Sequence, residues 1–168
     1  MASEIRISGI IEESIVDGPG IRYVVFAQGC SHNCPGCHNP ETHSFNGGRI
    51  IEISTITDDI KKNPLLDGIT LSGGEPFEQA EGFAELASDV KKAGMHVMTY
   101  TGFTYETILQ NIDREGWKTL LSNTDLMVDG PFEIDKRSLM LKFRGSRNQR
   151  IIDVKSSLKQ GAVVLAEI

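Results

Sequence analysis

Strand-like segments alternate with helix-like ones along most of this 168-residue chain. That alternation predicts an α/β fold of parallel β/α units. A closed eight-stranded β/α barrel usually needs about 250 residues, so roughly five or six units fit here and the expected form is an incomplete, open parallel barrel. The turns richest in chemistry, after Gln28, Leu71, Tyr100 and Asp129, all follow strands. In parallel β/α folds those ends share one rim, where sites form.

The elements follow in order. Residues 5–15 alternate loosely (Ile5, Ile7, Ile10, Ile11), as in a short strand or hairpin, and Asp17-Gly18-Pro19-Gly20 is a turn. Residues 21–27, β-branched and aromatic, read as a buried strand leading straight into Gln28-Gly29-Cys30. A polar stretch ends at Gly47-Gly48, and Ser54 reads as the N-cap of a helix to about Lys62, closed by Asn63-Pro64. Ile69-Thr70-Leu71 is a short strand before Ser72-Gly73-Gly74-Glu75-Pro76. Residues 77–93 form an amphipathic helix with Phe83, Leu86, Ala87 and Val90 on one face and Gly94 as its cap. Residues 96–100 and 126–129 read as strands, 105–112 and 117–121 as helices. A further strand is expected over 149–154 and a last one over 162–166. No repeat or linker divides the chain, so residues 1–168 are expected to form one domain.

Composition is that of an ordinary globular chain, without an apolar run long enough to span a bilayer. The first residues do not pattern as a signal peptide, so a cytoplasmic setting with reduced thiols is expected. A net charge of −6 gives no general reason to expect nucleic acid as a partner. Residues 136–150 depart from it, with Lys136, Arg137, Lys142, Arg144, Arg147, Arg150 and no acid. Such a run is either a solvated face or a site for an anionic ligand or partner.

All three cysteines lie between Cys30 and Cys37, spaced C-x₃-C-x₂-C. Four would close a structural site; three leave one coordination position open. An odd count in a reducing compartment argues against disulfides. A zinc site recruiting His32, His38 or His43 stays open on spacing alone. Cys34-Pro35-Gly36-Cys37-His38 also matches the c-type haem signal, a chemistry normally done after export, and Cys34-x-x-Cys37 a redox pair, which does not need Cys30. The spacing favours a three-cysteine [4Fe–4S] cluster modestly. In Ser72-Gly73-Gly74-Glu75-Pro76 the glycines permit close approach of a ligand to the backbone and Glu75 places an acceptor nearby.

Cys30-x₃-Cys34-x₂-Cys37 followed by Gly73-Gly74-Glu75-Pro76 resembles the radical S-adenosylmethionine superfamily. Asp17-Gly18-Pro19-Gly20-Ile21-Arg22 and His38-Asn39-Pro40 resemble its glycyl-radical-enzyme activases. The short length, Met127-Val128-Asp129-Gly130-Pro131-Phe132 and the run from Phe143 to Asp153 are similar to the activating proteins of anaerobic (class III) ribonucleoside-triphosphate reductases. The resemblance implies a [4Fe–4S] cluster on Cys30, Cys34 and Cys37. Its open iron would take S-adenosylmethionine, whose methionine amino group Gly73, Gly74 and Glu75 would hold. It implies a glycine of the large reductase subunit as target and an electron donor such as flavodoxin. Gly36 stands where the superfamily usually has an aromatic residue; the resemblance implies a backbone contact to the adenine there, with side-chain packing supplied from elsewhere. Thr99, Thr101 and Asp129 end strands at the rim, to touch ligand or merely cap strands. Asp17 and Arg22 either shape the approach of the target glycine or only make the turn. Arg144, Arg147 and Arg150 are candidates for the S-adenosylmethionine carboxylate or the reductase, and Trp117 for the core.

Overall fold

The structure, a computed structural model, describes residues 3–32, 34–37 and 40–168; the sequence readings on His38 and Asn39 lie outside them. The described strands are β1 (Glu4–Ser14), β2 (Arg22–Ala27), β3 (Arg49–Glu52), β4 (Gly68–Gly73), β5 (His96–Tyr100), β6 (Leu126–Asp129) and β7 (Arg150–Asp153). They form one sheet in the order β3-β1-β2-β4-β5-β6-β7. The α/β class is as expected, but only β2, β4, β5 and β6 run parallel. Both edges are antiparallel: β1 to β2 and β3, and β7 to β6. A parallel neighbour needs a crossover long enough to return the chain to its starting end. The links into β4, β5 and β6 hold α1 (Ile53–Lys61), α2 (Ala80–Lys92), and α3 (Tyr105–Gln110) with α4 (Trp117–Ser122). The link from β1 to β2 is too short for a crossover. The link from β6 to β7 holds no α-helix, so the chain turns back along the sheet edge.

Other differences are local. β3 follows directly on the polar stretch that ends at Gly47-Gly48 and is a strand the sequence reading does not contain. The N-cap of α1 is Glu52, without a side-chain cap bond, so Ser54 falls inside the first turn. The long helix starts as a 3₁₀ turn, Pro76–Gln79, before α2. Residues 162–166 contribute an isolated bridge from Leu165 to Ile152 in place of the expected strand, and α5 (Val154–Gln160) is an additional helix.

Alternation along the strands divides the sheet into two faces. Tyr23, Val25, Leu71, Val97 and Met127 meet Ile56, Phe83, Ile108 and Trp117 of the helices in the main core. Trp117, 2% exposed, lies edge-on to Phe77 at 5.1 Å, in the core as expected. Each such side chain contributes about 1.5–3 kcal/mol on burial. The opposite face carries a smaller cluster, Met98, Leu126 and Val128, against which Tyr100, Phe143 and Ile151 pack.

Candidate metal and cofactor site

Two parallel strands bring the sequence motifs together. Ala27 of β2 is in register with Gly73 of β4, so the cysteine loop and the Gly-Gly-Glu-Pro turn leave the sheet side by side. The Gly74 N–H donates to the Ala27 carbonyl at 2.8 Å and the Glu75 N–H to the Gly29 carbonyl at 2.9 Å. From below, Gln79 accepts from the Arg6 N–H and donates to the carbonyls of Arg6 and Gln28. From the far end of the loop, the Thr42 and His43 carbonyls accept from Gly29 and Cys30.

Gly73 and Gly74 are required by this meeting. Gly73 has φ +92°, and a Cβ there would strike the Ala27 and Phe26 backbone. A Cβ on Gly74 would lie 2.5 Å from the Gly29 carbonyl oxygen and 2.9 Å from that of Thr42. The space the glycines leave on that side is filled by the chain itself. Gly74→Ala is therefore expected to push the two loops apart and cost about 1–3 kcal/mol, read as a shifted urea midpoint at unchanged slope. A midpoint equal to wild type would refute it.

Glu75 is the hub. Its side chain is fully buried, and it receives the Thr101 hydroxyl at 3.0 and 2.9 Å, the Gly102 N–H at 2.7 Å and the Phe77 N–H at 3.0 Å. His32 Nε2 lies 2.6 Å from Glu75 Oε1. Burial disfavours the charged imidazole, but the hydrogen bond and charge of Glu75, with Glu78 behind it, outweigh burial and raise the His32 pKa above its ordinary value. One carboxylate thus joins the cysteine loop, the turn after β4 and the end of β5. Spacing gives no sign of this role for His32, which the sequence offers only as a candidate zinc ligand.

Cys30, Cys34 and Cys37 are each half-buried. Burial pushes the Cys34 thiol up, opposed by a main-chain hydrogen bond from Phe132. Among the described residues no three His, Cys, Asp or Glu side chains converge as ligands of a single ion. A [4Fe–4S] cluster asks something different of three thiolates on one loop, since each binds its own iron. The donor set therefore fits such a cluster. Gly36, at φ +73°, is covered by the segment after β6: a Cβ there would lie 2.6 Å from Ile134 Cδ1 and 3.5 Å from Phe132 Cε2. Both side chains come from roughly a hundred residues further along the chain, a neighbourhood that no local pattern could reveal.

Two of the residues expected at the rim do not join the site. Thr99 shares the helix-covered face with Val97 and bonds the Thr124 hydroxyl at 2.9 Å. Asp129, 1% exposed, caps Tyr105 N–H at 2.8 Å and pairs with Arg150, which also holds Glu106 at 2.7 Å. The hydrogen bond from Arg150 keeps the Glu106 carboxyl below its usual range, and these two acids raise the Arg150 pKa in turn. Thr101, by contrast, reaches Glu75. Arg22 is buried against the Thr70 hydroxyl and the carbonyls of Pro19 and Ile69. Burial lowers its pKa to about 10. Asp17 accepts from the Ser14 and Thr70 hydroxyls, so both residues pin the turn.

Residues 16–152 match a family described as a 4Fe-4S single cluster domain. The anaerobic ribonucleoside-triphosphate reductase-activating protein of enterobacteria phage T4 is 32% identical over 143 residues, 81% of this chain and 86% of that protein. Its namesake in Vibrio cholerae is 34% identical over 145 residues, 82% and 90% of the two chains. The pyruvate formate-lyase-activating enzyme of Clostridium pasteurianum is 38% identical over 117 residues, 64% of this chain, which spans 49% of that enzyme's length.

Proposed function

As the chain belongs to the family of anaerobic ribonucleoside-triphosphate reductase-activating proteins, radical S-adenosylmethionine enzymes, we propose that it installs the glycyl radical of its reductase. The observation that carries this reading is the junction of β2 and β4, where the loop of three cysteines and Gly73-Gly74-Glu75 leave adjacent parallel strands and are tied together by hydrogen bonds. The reductase-activating relatives support the choice of partner, matching this chain at 32–34% identity over 81–82% of its residues. The four parallel strands β2, β4, β5 and β6 are then the core of an open radical S-adenosylmethionine barrel.

In this reading Cys30, Cys34 and Cys37 would hold the [4Fe–4S] cluster, and the main chain of Gly73 and Gly74 would help to hold S-adenosylmethionine. The chemistry supplied by these groups, with one electron from a donor such as flavodoxin, is cleavage to methionine and a 5′-deoxyadenosyl radical that takes a hydrogen from a glycine of the large reductase subunit. The protein's task is positioning. Glu75 holds the turn by its side chain, being already engaged by Thr101, Gly102, Phe77 and His32. No general base is needed.

Anaerobic reconstitution with iron and sulfide, followed by reduction and mixing with the large subunit and S-adenosylmethionine, tests this. The expected result is a brown protein and a glycyl doublet by electron paramagnetic resonance on the reductase. A colourless zinc protein refutes the reading. A doublet only on a pyruvate formate-lyase-type partner transfers it to that enzyme, the reading the 38% identity to the Clostridium enzyme favours.

A further inference from the structure

The link between β6 and β7 is unlike the rest of the surface. In a chain of net charge −6 it holds a run of cations without an acid over residues 136–150. Some are engaged: Arg150 by Asp129 and Glu106, Lys136 by Glu133 at 3.3 Å, and Arg144 at the Gln149 carbonyl. Arg137, Lys142 and Arg147 are exposed and form no ion pair among the described residues. Between these cations stand Leu139 and Met140, 90% and 92% exposed, the most exposed large hydrophobics described.

This tip is held in place. Phe143, the one described non-glycine residue with positive φ (+62°), packs on the Met98–Leu126–Val128 cluster, and its carbonyl accepts from the Tyr100 hydroxyl at 2.7 Å. The link between β1 and β2 covers the same face, with Gly18 against Met98 and Arg22, and raises a second apolar tip, Ile15 and Val16. A single exposed Leu needs no explanation. Two apolar tips on one face, one of them ringed by unpaired cations, do need one. A solvated basic face accounts for the lysines and arginines but leaves Leu139 and Met140 without a role.

We propose that this face docks the partner reductase, through a surface of the large subunit that is acidic and carries exposed apolar side chains. The aliphatic tips would supply buried area, while the cations would supply orientation and association rate. A pre-held loop loses little entropy on docking. The inference rests on the activating function proposed above.

The test uses the full, cluster-loaded chain and the purified large subunit under anaerobic conditions. Two variants are compared with wild type: Leu139→Ser with Met140→Ser, and Arg137→Glu with Lys142→Glu. Each is expected to weaken binding at least about tenfold. The charge pair should also flatten the salt dependence, with partner-free S-adenosylmethionine cleavage unchanged. If one pair fails to fold, the other still decides. Wild-type affinity in a folded variant overturns the docking surface while leaving the activase reading intact. Failure of wild type itself to bind the reductase or raise its glycyl doublet overturns the activase reading, and the docking partner with it. Binding to vesicles of anionic phospholipid that the same variants abolish, with reductase affinity unchanged, overturns the proposal in favour of a membrane surface.

Discussion

Glu75→Ala is expected to lower the unfolding free energy by about 3–5 kcal/mol and to empty the site of iron. The carboxylate is fully buried and satisfies donors from three separate segments, so its removal strands the Phe77 and Gly102 N–H groups, the Thr101 hydroxyl and the His32 ring together. Glu75→Gln keeps the shape and one acceptor oxygen, but its amide N–H₂ must face a donor, and an intermediate loss is expected. Urea unfolding of the apo chain measures the first effect, and iron bound per chain after reconstitution the second. An alanine variant as stable as wild type would remove Glu75 from its place as hub.

The cysteines are expected to behave in the opposite way. Serine at Cys30, Cys34 or Cys37 should leave the apo chain within about 0.5 kcal/mol of wild type, since the side chains are only half-buried and serine keeps a hydrogen-bonding group of similar size. The glycyl radical yield should nevertheless fall more than about 100-fold, because even residues that only support metal ligands cost 10–100-fold when lost. Paired measurement of melting and of the doublet makes the separation visible. A serine variant that keeps both the brown chromophore and the doublet would show that the cysteine in question is not a ligand.

The two variants differ because one residue serves the fold and the site at once, while the others serve only the site. The sequence could not show that difference. Glu75 read as an acceptor for ligand, and the fold shows that its side chain also accepts from Thr101 and Gly102. Asp129 and Thr99 read as rim residues because they end strands. Period-2 alternation turns both toward the helix layer, where Arg150 and Thr124 take them up.

What the residues determined unaided was local in origin. Hydrophobic period placed β2, β4, β5 and β6 within a residue or two, Gly and Pro marked the turns, and C-x₃-C-x₂-C with Gly-Gly-Glu-Pro marked the donor set and the family. What only the tertiary structure decided was non-local. It ran β7 antiparallel, because the link before it holds no α-helix to carry the chain back. It set His32 on Glu75, 43 residues away, and Thr101 on the same carboxylate, 26 residues away. It laid Phe132 and Ile134 over Gly36. The physical reason is the same in each case. Spacing along a chain says which groups share a turn, whereas the partner of a side chain at a strand end depends on which other strand ends lie beside it.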